Sequence, residues 1–497
     1  MYFSNKNYGS GFQQVIGTIL KSCWFLLVFI TTSLFQLGCK KLVEVDPPHT
    51  SITGSVVFSS DATAIAVLTA IYMKISSADY HSAFQPSNLS FWAGLSADEL
   101  TLWNGTGESK QIAYYTNKLS SNLAFDAGPE FWYRGYENIY SCNLAIEELT
   151  KTSSLTKAVK QQLLGEAKFM RAFSYFYLTN LYGDVPLVIS TDYKANSILN
   201  RSPQNLIYQQ IIEDLKDAKN LLSENYLDIT LLKNTTEKVR PNIWVASALL
   251  SRVYLYTKDW ISAETEASSI IGHTSFYDLE ELDKVFLKNS KEAIWQLQPV
   301  TTGYITNTQD GKLFNMASTG PTDEHPAYLS HFLVDAFEKD DLREAHWIGK
   351  VTIESETYYY PLKYKVDASD APVTEYLMIF RLGEQYLIRA EARTELGKIS
   401  EAQDDLNKIR NRANLGNTAS DNSEKLINSI LHERQVELFT ELGHRWMDLK
   451  RTGKVSDIMK PVTLEKGGIW NSNWQLYPIP YSDTQLNYKL IQNQGYN

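Results

Sequence analysis

Beyond residue 48, apolar residues recur mostly at the three-to-four spacing of buried helix faces, and long polar stretches interrupt them. The spacing predicts helices over 61–75, 130–149, 156–182, 203–222, 241–256, 260–271, 384–396, 400–412 and 423–450. Gly183 and Pro186 end the third helix, because neither residue favours its continuation. Short strands are predicted over 293–297 and 357–361. The pattern therefore predicts a mainly α fold with a few short strands.

Two predicted helical pairs look like copies of one motif. In the stretches 251–263 and 390–402, Ala263 and Ala402 occupy the same register, and a large apolar residue stands three positions before each. A small alanine lets two helices approach closely, as in tetratricopeptide repeats. The copies lie 139 residues apart and are not in regular tandem. They indicate a tetratricopeptide-like scaffold of helical pairs rather than a simple solenoid.

Two long segments, 76–129 and 298–375, lack a sustained helical period and are rich in Ser, Thr, Asn, Gly and aromatic residues. Loops of this length in a compact protein are usually functional. The chain has 497 residues, 43% of them hydrophobic and 21% charged, which argues against disorder. A mean hydropathy of −0.28 excludes a polytopic membrane protein. The formal net charge of −10 disfavours binding to nucleic acid.

The N-terminus has the pattern of an export signal. An apolar run over 23–35 follows Lys21, and it is too short for a bilayer but typical of a signal-peptide core. Gly38 and Cys39 then resemble a bacterial lipobox, in which the cysteine becomes the lipidated first residue, although Gln36 departs from that pattern. A plain cleaved signal or a short anchor are the alternatives.

Cysteine usage agrees with this interpretation. Of the three cysteines, Cys23 lies in the predicted signal and Cys39 at the processing site, which leaves Cys142 in the mature chain. No internal disulfide or thiolate metal cluster can then form.

Catalytic and nucleotide-binding motifs are absent from the sequence: it has no Walker A loop, no zincin motif and no nucleophile elbow. His325 and His331 are interpreted as loop residues rather than metal ligands. Asp98 and Glu99 are adjacent in one loop, a poor arrangement for acids that must flank a glycosidic bond. No metal and no cofactor are predicted.

The segment 437–448 could form an acid/base site, because Glu441 and Arg445 are four residues apart on a predicted helix with His444 beside them. Trp446 lies on the apolar stripe of the same helix. We therefore interpret the segment as an ion-paired helix face that fixes packing. No catalytic residue is predicted.

Five blocks carry a resemblance to a known family: 39–47, which begins with Cys39; 171–187, which reads RAFSYFYLTNLYGDVPL; 381–392 with 406–413; 432–438 with 443–453, which includes GHRWMDLKRTG; and the tail from Tyr477 to Tyr496. In this order they resemble the SusD/RagB family of lipoproteins. Ser482, Tyr488 and Gln494 depart from the common tail pattern.

The resemblance implies a fold of four tetratricopeptide-like pairs with a loop-rich ligand face. It also implies a non-catalytic lipoprotein on the outside of the outer membrane, which captures oligosaccharides and passes them to a SusC-like TonB-dependent transporter. The expected regions are a signal peptide over 1–38, an N-terminal region over 39–235 and a C-terminal region over 236–497, the last two packed as one unit. Alternatives are peptide uptake, a tetratricopeptide scaffold that binds a peptide or protein, and a helical-barrel glycoside hydrolase.

A sugar ring needs a flat aromatic side chain against its C–H face and polar side chains around its hydroxyl rim. The stretch 80–115 offers this mixture, and Trp103 with Asn104 in a Gly-flanked loop is the first candidate. Its other aromatic candidates are Tyr80, Phe84, Phe91, Trp92, Tyr114 and Tyr115. Tyr304 and Trp347 are the next candidates. The other aromatic residues, such as Phe173, Phe176 and Trp446, are expected to build the core.

Overall fold

Helices make up most of the chain that the computed structural model describes, namely residues 57–76, 86–121, 129–300 and 307–496. In chain order they are α1 (Asp61–Ser76), α2 (Pro86–Ser96), α3 (Ser109–Tyr115), α4 (Pro129–Lys151), α5 (Lys157–Tyr182), α6 (Tyr193–Asn196), α7 (Gln204–Leu221), α8 (Ile243–Thr257), α9 (Trp260–Ile271), α10 (Gln309–Phe314), α11 (His331–Val334), α12 (Leu342–Trp347), α13 (Leu382–Glu395), α14 (Ile399–Arg412), α15 (Ser423–Glu437), α16 (His444–Arg451), α17 (Val455–Glu465) and α18 (Tyr481–Leu486). No helix within these ranges is long and apolar enough to cross a membrane.

The long helix α5 is at the centre of the scaffold. Every residue from Phe169 to Tyr182 is buried, because α4 packs on one side of the helix and α7 on another. Gly183, at φ 76°, ends the helix in a conformation that residues with a Cβ rarely adopt. The aromatic residues of α5 meet those of the sheet, as in the 5.5 Å contact between the rings of Phe173 and Trp295. The prediction that these rings build the core is confirmed.

The two predicted helical pairs are α8 with α9 and α13 with α14, and α9 packs against α13 so that the pairs stack. Ala263 and Ala402 are both fully buried at the close approach of their pairs. Arg393 of α13 reaches Glu264 of α9 at 3.1 Å, and it reaches Asp405 of α14 at 2.8 Å. The tetratricopeptide-like scaffold inferred from the sequence is therefore confirmed.

Within the described ranges, six short strands form three antiparallel pairs. The strands are β1 (Leu100–Leu102), β2 (Ala293–Leu297), β3 (Ala327–Leu329), β4 (Ile348–Ile353), β5 (Glu356–Pro361) and β6 (Leu377–Arg381). The pairs are β1 with β3, β2 with β6, and the hairpin of β4 with β5. Both strands predicted from the sequence are present, as β2 and β5. The first and third pairs pack together through β3 and β5, which brings the two long polar segments of the sequence to one face.

The single helix predicted over 423–450 is wrong. The chain forms α15 and α16 instead, and between them Thr440, Leu442 and Gly443 have φ of 50°, 46° and 68°. These left-handed residues turn the chain, so Glu441 and Arg445 do not share one helix face. Arg445 binds Asp98 through two bonds of 2.8 and 2.6 Å.

Helix α2 was not expected, since its sequence PSNLSFWAGLS has no amphipathic pattern. All eleven of its residues are buried, so no face of it needs to be polar. Its serines are paired inside the protein: the Ser90 hydroxyl donates to the Pro86 carbonyl and accepts the Leu442 N–H at 2.8 Å. Helix α2 therefore connects the turn before α16 to the face that carries β1.

Buried ion pairs hold the C-terminal half together. Arg381, 1% exposed, binds Glu292 at 2.8 Å, Glu437 at 2.6 Å and Glu441 at 2.8 Å. Burial alone raises the pKa of a carboxyl group, yet Arg412, Arg381 and Arg343 hold the pKa of Glu437 well below its ordinary range. The Glu437 carboxylate thus depends on cations from several elements.

Candidate functional site

The loop after β1 presents Trp103 and Asn104, the first candidates from the sequence. Strand β1 pairs with β3, and the Trp103 N–H extends the pairing by donating to the Pro326 carbonyl at 2.7 Å. The chain then turns, with the Thr106 N–H donating to the Trp103 carbonyl at 3.3 Å. The Trp103 side chain is half-buried and Asn104 is exposed. This loop therefore offers a flat ring and an amide at the surface.

Gly105 determines where the Trp103 indole lies. A Cβ on Gly105 would stand 2.2 Å from Trp103 Cζ2, which means that the ring lies directly across the glycine backbone. Gly107, two residues on, has open space around it. The ring therefore lies against its own loop, in a position that a side chain at residue 105 would exclude.

Half-exposed tyrosines extend the surface from the β1–β3 pair to the hairpin. Tyr328 of β3 meets Tyr358 of β5 edge to face, with ring centroids 5.1 Å apart. The Tyr358 hydroxyl donates to Glu356 Oε2 at 2.6 Å. Tyr360 shares the Tyr358 face of β5, and its ring lies over Gly349, where a Cβ would stand 2.2 Å from Tyr360 Cζ.

Tyr115, at the end of α3, lies beside this group. Burial and the neighbouring Tyr328 raise the pKa of its hydroxyl to about 12, and the Lys466 ammonium lies 4.9 Å from its ring centroid. The side chains of Trp103, Tyr115, Tyr328, Tyr358 and Tyr360 are together called the aromatic face. Neutral hydroxyls and partly covered rings suit stacking on the C–H face of a sugar, with Asn104 and Glu356 available for its hydroxyls.

Sequence reasoning missed Tyr328, Tyr358 and Tyr360. Tyr328 lies in a strand of three residues that has no recognisable period. A signal did exist for the other two, because alternation within the predicted strand 357–361 places residues 358 and 360 on one side.

Trp347 does not belong to the surface, and its prediction as a ligand residue needs correction. Its side chain is fully buried, its ring meets Phe286 at 5.5 Å, and its Nε1–H donates to the Leu282 carbonyl at 3.0 Å. The indole belongs to the core because Trp347 and Arg343, four residues apart on α12, both turn inward, whereas Leu342 and Ala345 are exposed. A ligand at the surface has no access to it.

Trp92 also lies inside. Only 8% of it is exposed, its ring packs 4.8 Å from that of Tyr114, and the Lys110 ammonium lies 5.1 Å from its centroid. It packs in the core rather than forming part of the aromatic face. The candidates Tyr80, Phe84 and Tyr304 lie outside the described residues, as does Cys39, and the candidates Phe91 and Tyr114 are buried.

Acidic side chains beneath the aromatic face are buried. Burial, and the charge of neighbouring Asp98, raise the pKa of Glu99 to about 8, while the Thr440 N–H donates to its carboxyl group at 3.3 Å. Burial also raises the pKa of Asp310 to about 7, and the hydroxyl of Ser87 donates to it. Asp98 and Glu99 thus contact the scaffold and not the surface.

The histidines considered from the sequence are separate from each other. His325 is 9% exposed, and burial lowers its pKa. His331 lies at the surface, 2.8 Å from Glu465. One group of three potential metal ligands converges within the described ranges, Glu338 with His432 and Glu433. The Arg410 guanidinium already bridges its two carboxylates, at 2.5 and 3.3 Å.

Comparison with known proteins gives a consistent result. A family model described as "SusD family" matches residues 343–496, and one described as "Starch-binding associating with outer membrane" matches residues 96–255. The chain is 26% identical to "SusD-like protein P2" of Formosa agariphila over 524 residues, which cover 95% of this chain and 99% of that protein.

Solved structures agree with this result. A SusD superfamily protein from Bacteroides vulgatus superposes with a TM-score of 0.74 at 21% identity, covering 88% of this chain and 99% of that one. A structure named "Laminarin binding SusD-like protein" gives a TM-score of 0.72 at 21% identity, covering 88% of this chain and 100% of that one. With both family models, the relatives and the fold in agreement, the chain belongs to the SusD/RagB family.

Proposed function

We propose that this protein is a non-catalytic lipoprotein of the cell surface, which captures oligosaccharides or polysaccharide fragments for a SusC-like TonB-dependent transporter. The observation that carries the proposal is the aromatic face, where the Trp103 ring is held flat over Gly105 with Asn104 beside it. Preorganised rings with adjacent polar groups are what a sugar ring requires. One matching family is described as starch-binding and one structure of similar fold as laminarin-binding, which supports glucans as the first ligands to test.

The ligand test uses purified protein with laminarin and soluble starch in affinity electrophoresis and calorimetry. Trp103→Ala is expected to weaken binding about tenfold or more, since an aromatic contact contributes about 0.5–1.5 kcal/mol beyond the burial of its apolar area, and that burial is lost as well. The matched control is Tyr193→Ala, which removes a 72% exposed aromatic ring on the short helix α6. Unchanged affinity in Trp103→Ala would remove Trp103 from the site. Retention of peptides but of no glycan by the wild type would favour peptide uptake instead.

Catalysis is tested with the same reagents. Long incubation of the protein with laminarin and starch should produce no new reducing ends, because Asp98 is ion-paired with Arg445 and Glu99 is buried. Release of oligosaccharides at a rate that depends on protein concentration would contradict the proposal and favour the hydrolase alternative.

Anchoring is tested at Cys39. Wild-type protein in its native host should incorporate radiolabelled palmitate and become accessible to protease on intact cells, and Cys39→Ser should do neither. A Cys142→Ser variant is the control, since its thiol is buried in the core. Palmitate incorporation in Cys39→Ser would exclude Cys39 as the lipidation site.

The transporter partner is tested by co-purification from detergent-solubilised outer membranes. A tagged wild-type protein should recover a large β-barrel protein of the SusC-like class in near-equal amount. Recovery of the protein alone, from membranes that contain the transporter, would contradict a stable complex.

A further inference from the structure

The hairpin of β4 and β5 has a second side, opposite the aromatic face. Tyr359 and Lys350 are paired across the hairpin, and alternation places them on the side away from Tyr358 and Tyr360. On this side the hairpin, α12 with the turn before it, and the loop 414–416 enclose a groove of about 840 Å³. Pockets that bind small ligands commonly have volumes of about 300–1,000 Å³.

Some of the charges around the groove are already neutralised. Both oxygens of Glu338 are held by Arg410, at 2.5 and 3.1 Å. Asp341 is bound by Arg343 at 2.8 Å. These carboxylates therefore form the wall of the groove and are not available to a ligand as free charges.

Four other charged side chains around the groove are exposed, namely Lys339, Lys350, Asp340 and Glu344. They form no ion pair with any other residue in the described part of the chain. Two carry a positive and two a negative charge, so the charge available to a ligand sums to zero. The groove thus has strong donors and acceptors without a net field that would select an anion or a cation.

This chemistry selects a class of ligand. An apolar ligand would leave the charged groups desolvated and unpaired, at a high free-energy cost. Neutral hydroxyls can pair with both ammonium and carboxylate groups, and such charge-assisted hydrogen bonds are the stronger kind. Tyr359, half-buried, adds a ring against which a sugar can pack.

We propose that this groove is a second carbohydrate site, which binds neutral sugar units on the back of the hairpin whose front carries the aromatic face. The choice of carbohydrate rests on the proposed function, but the groove shares no side chain with the aromatic face. Two sites on opposite sides of one hairpin would let a single polysaccharide chain engage both, which raises its overall affinity.

The test compares a groove variant with a matched surface variant. Lys350→Ser combined with Glu344→Ser removes one charge of each sign and leaves the net charge unchanged, and both residues are exposed, so the fold should be retained. Lys157→Ser combined with Glu213→Ser makes the same change on α5 and α7, away from the groove. The probes are laminarihexaose and maltoheptaose for calorimetry, and laminarin and starch for affinity electrophoresis.

The wild type should bind two molecules of the short oligosaccharide per chain, and the groove variant and Trp103→Ala should each bind one. The groove variant should also lose about tenfold in affinity for the polysaccharide, while the surface control should not change. Because the ligand is neutral, raising salt from low to high concentration should leave groove binding in Trp103→Ala unchanged.

The remaining outcomes of these experiments each contradict a specific claim. One bound oligosaccharide in the wild type, or complete loss of binding in Trp103→Ala, overturns the second site and leaves the proposed function standing. Binding of neither glucan to the wild type overturns the groove proposal and counts against the proposed function as well.

Discussion

The helical scaffold and the aromatic face use charged and aromatic residues in opposite ways. In the scaffold, charges such as those of Arg381 and Glu437 are buried and fully paired, and rings such as Trp347 are covered on all sides. On the aromatic face, both Trp103 and Tyr358 are half-exposed, with Trp103 against Gly105 and Tyr358 edge to face with Tyr328. The difference shows that residue type alone does not identify a binding surface in this protein. What identifies it is a ring that lies against its own loop while its outer side remains open.

If the comparison holds, changes in the scaffold should reduce stability, and changes on the aromatic face should reduce binding. Arg381→Met should cause the largest loss of stability, because three buried glutamates would lose a positively charged partner. Removing one partner of a buried ion pair costs about 3–5 kcal/mol in free energy of unfolding. Urea denaturation followed by circular dichroism measures this loss.

The control for Arg381→Met is Arg134→Met. Arg134 pairs with Glu137 at 2.7 Å, but both side chains are well exposed. Surface pairs contribute about 0–1 kcal/mol, so this variant should behave as the wild type. Equal effects of the two variants would show that the buried network does not stabilise the scaffold.

Glu99 immediately precedes β1, which leads to the Trp103 loop, and it contacts Thr440 of the scaffold. Its burial predicts that the free energy of unfolding depends on pH. Because its pKa rises from 4.5 to about 8 on folding, the native state binds more protons than the unfolded chain between these values. Stability from this group is therefore fully present below pH 4.5 and is lost as the pH rises through 8.

Glu99→Gln cannot ionise and should remove this loss. Near pH 5 the variant and the wild type should be about equally stable, and near pH 8 the variant should be more stable by about 4 kcal/mol, since each pH unit between these values costs the wild type about 1.4 kcal/mol. Urea denaturation at both pH values measures the difference, with Glu213→Gln as an exposed control. A variant that is less stable than the wild type at both values would contradict a protonated Glu99.

The break between α15 and α16 should be sensitive to a single methyl group. At Gly443 the backbone has φ 68°, and a Cβ would stand 2.7 Å from the Cβ of Ala93 in α2. Gly443→Ala therefore combines backbone strain with overpacking and should cost about 2–3 kcal/mol. Gly453→Ala has φ 72° and open space, so it should show only the backbone cost of about 1 kcal/mol. Equal losses in urea denaturation would mean that the contact with α2 is unimportant.

Gly443 also shows where sequence reasoning reached its limit. The long helices, the two copied pairs and the strands β2 and β5 were predictable because their apolar residues recur at a fixed period. The break at 438–443 was not predictable from the sequence. Leu438, Leu442 and Trp446 keep helical spacing, whereas the turn depends on contacts of Glu441 with residues that are distant in sequence. Helix α2 was missed for a related reason: burial on all sides erases periodicity.

The candidate site was predictable in part. A tryptophan between polar residues and glycines marked the Trp103 loop, and that loop does lie at the surface. The same criterion wrongly selected Trp347, because its polar neighbours Arg343 and His346 in α12 form ion pairs, Arg343 inside the protein and His346 with Asp283. Tyr328 came from a distant segment that only the pairing of β1 with β3 brings close.

The sharpest test of the comparison lies within the Trp103 loop, where stability and binding should separate completely. Gly105→Ala places a methyl group where the Trp103 indole now lies, so the ring must leave its position. The loop is exposed, and the free energy of unfolding should therefore change by less than about 0.5 kcal/mol. Affinity for laminarin or starch should nevertheless fall about three- to tenfold, because a displaced ring must be reordered before it can stack on a sugar.

Gly107→Ala makes the same chemical change two residues away, where a Cβ meets nothing within 4 Å, and it should change neither quantity. Tryptophan fluorescence provides a readout independent of ligand, since Gly105→Ala should shift the emission of the protein and Gly107→Ala should not. A Gly105→Ala variant with shifted emission and full affinity would show that the ring orientation does not matter. Specificity would then reside elsewhere on the aromatic face, and the contrast between a fixed open ring and a buried one would lose its functional meaning.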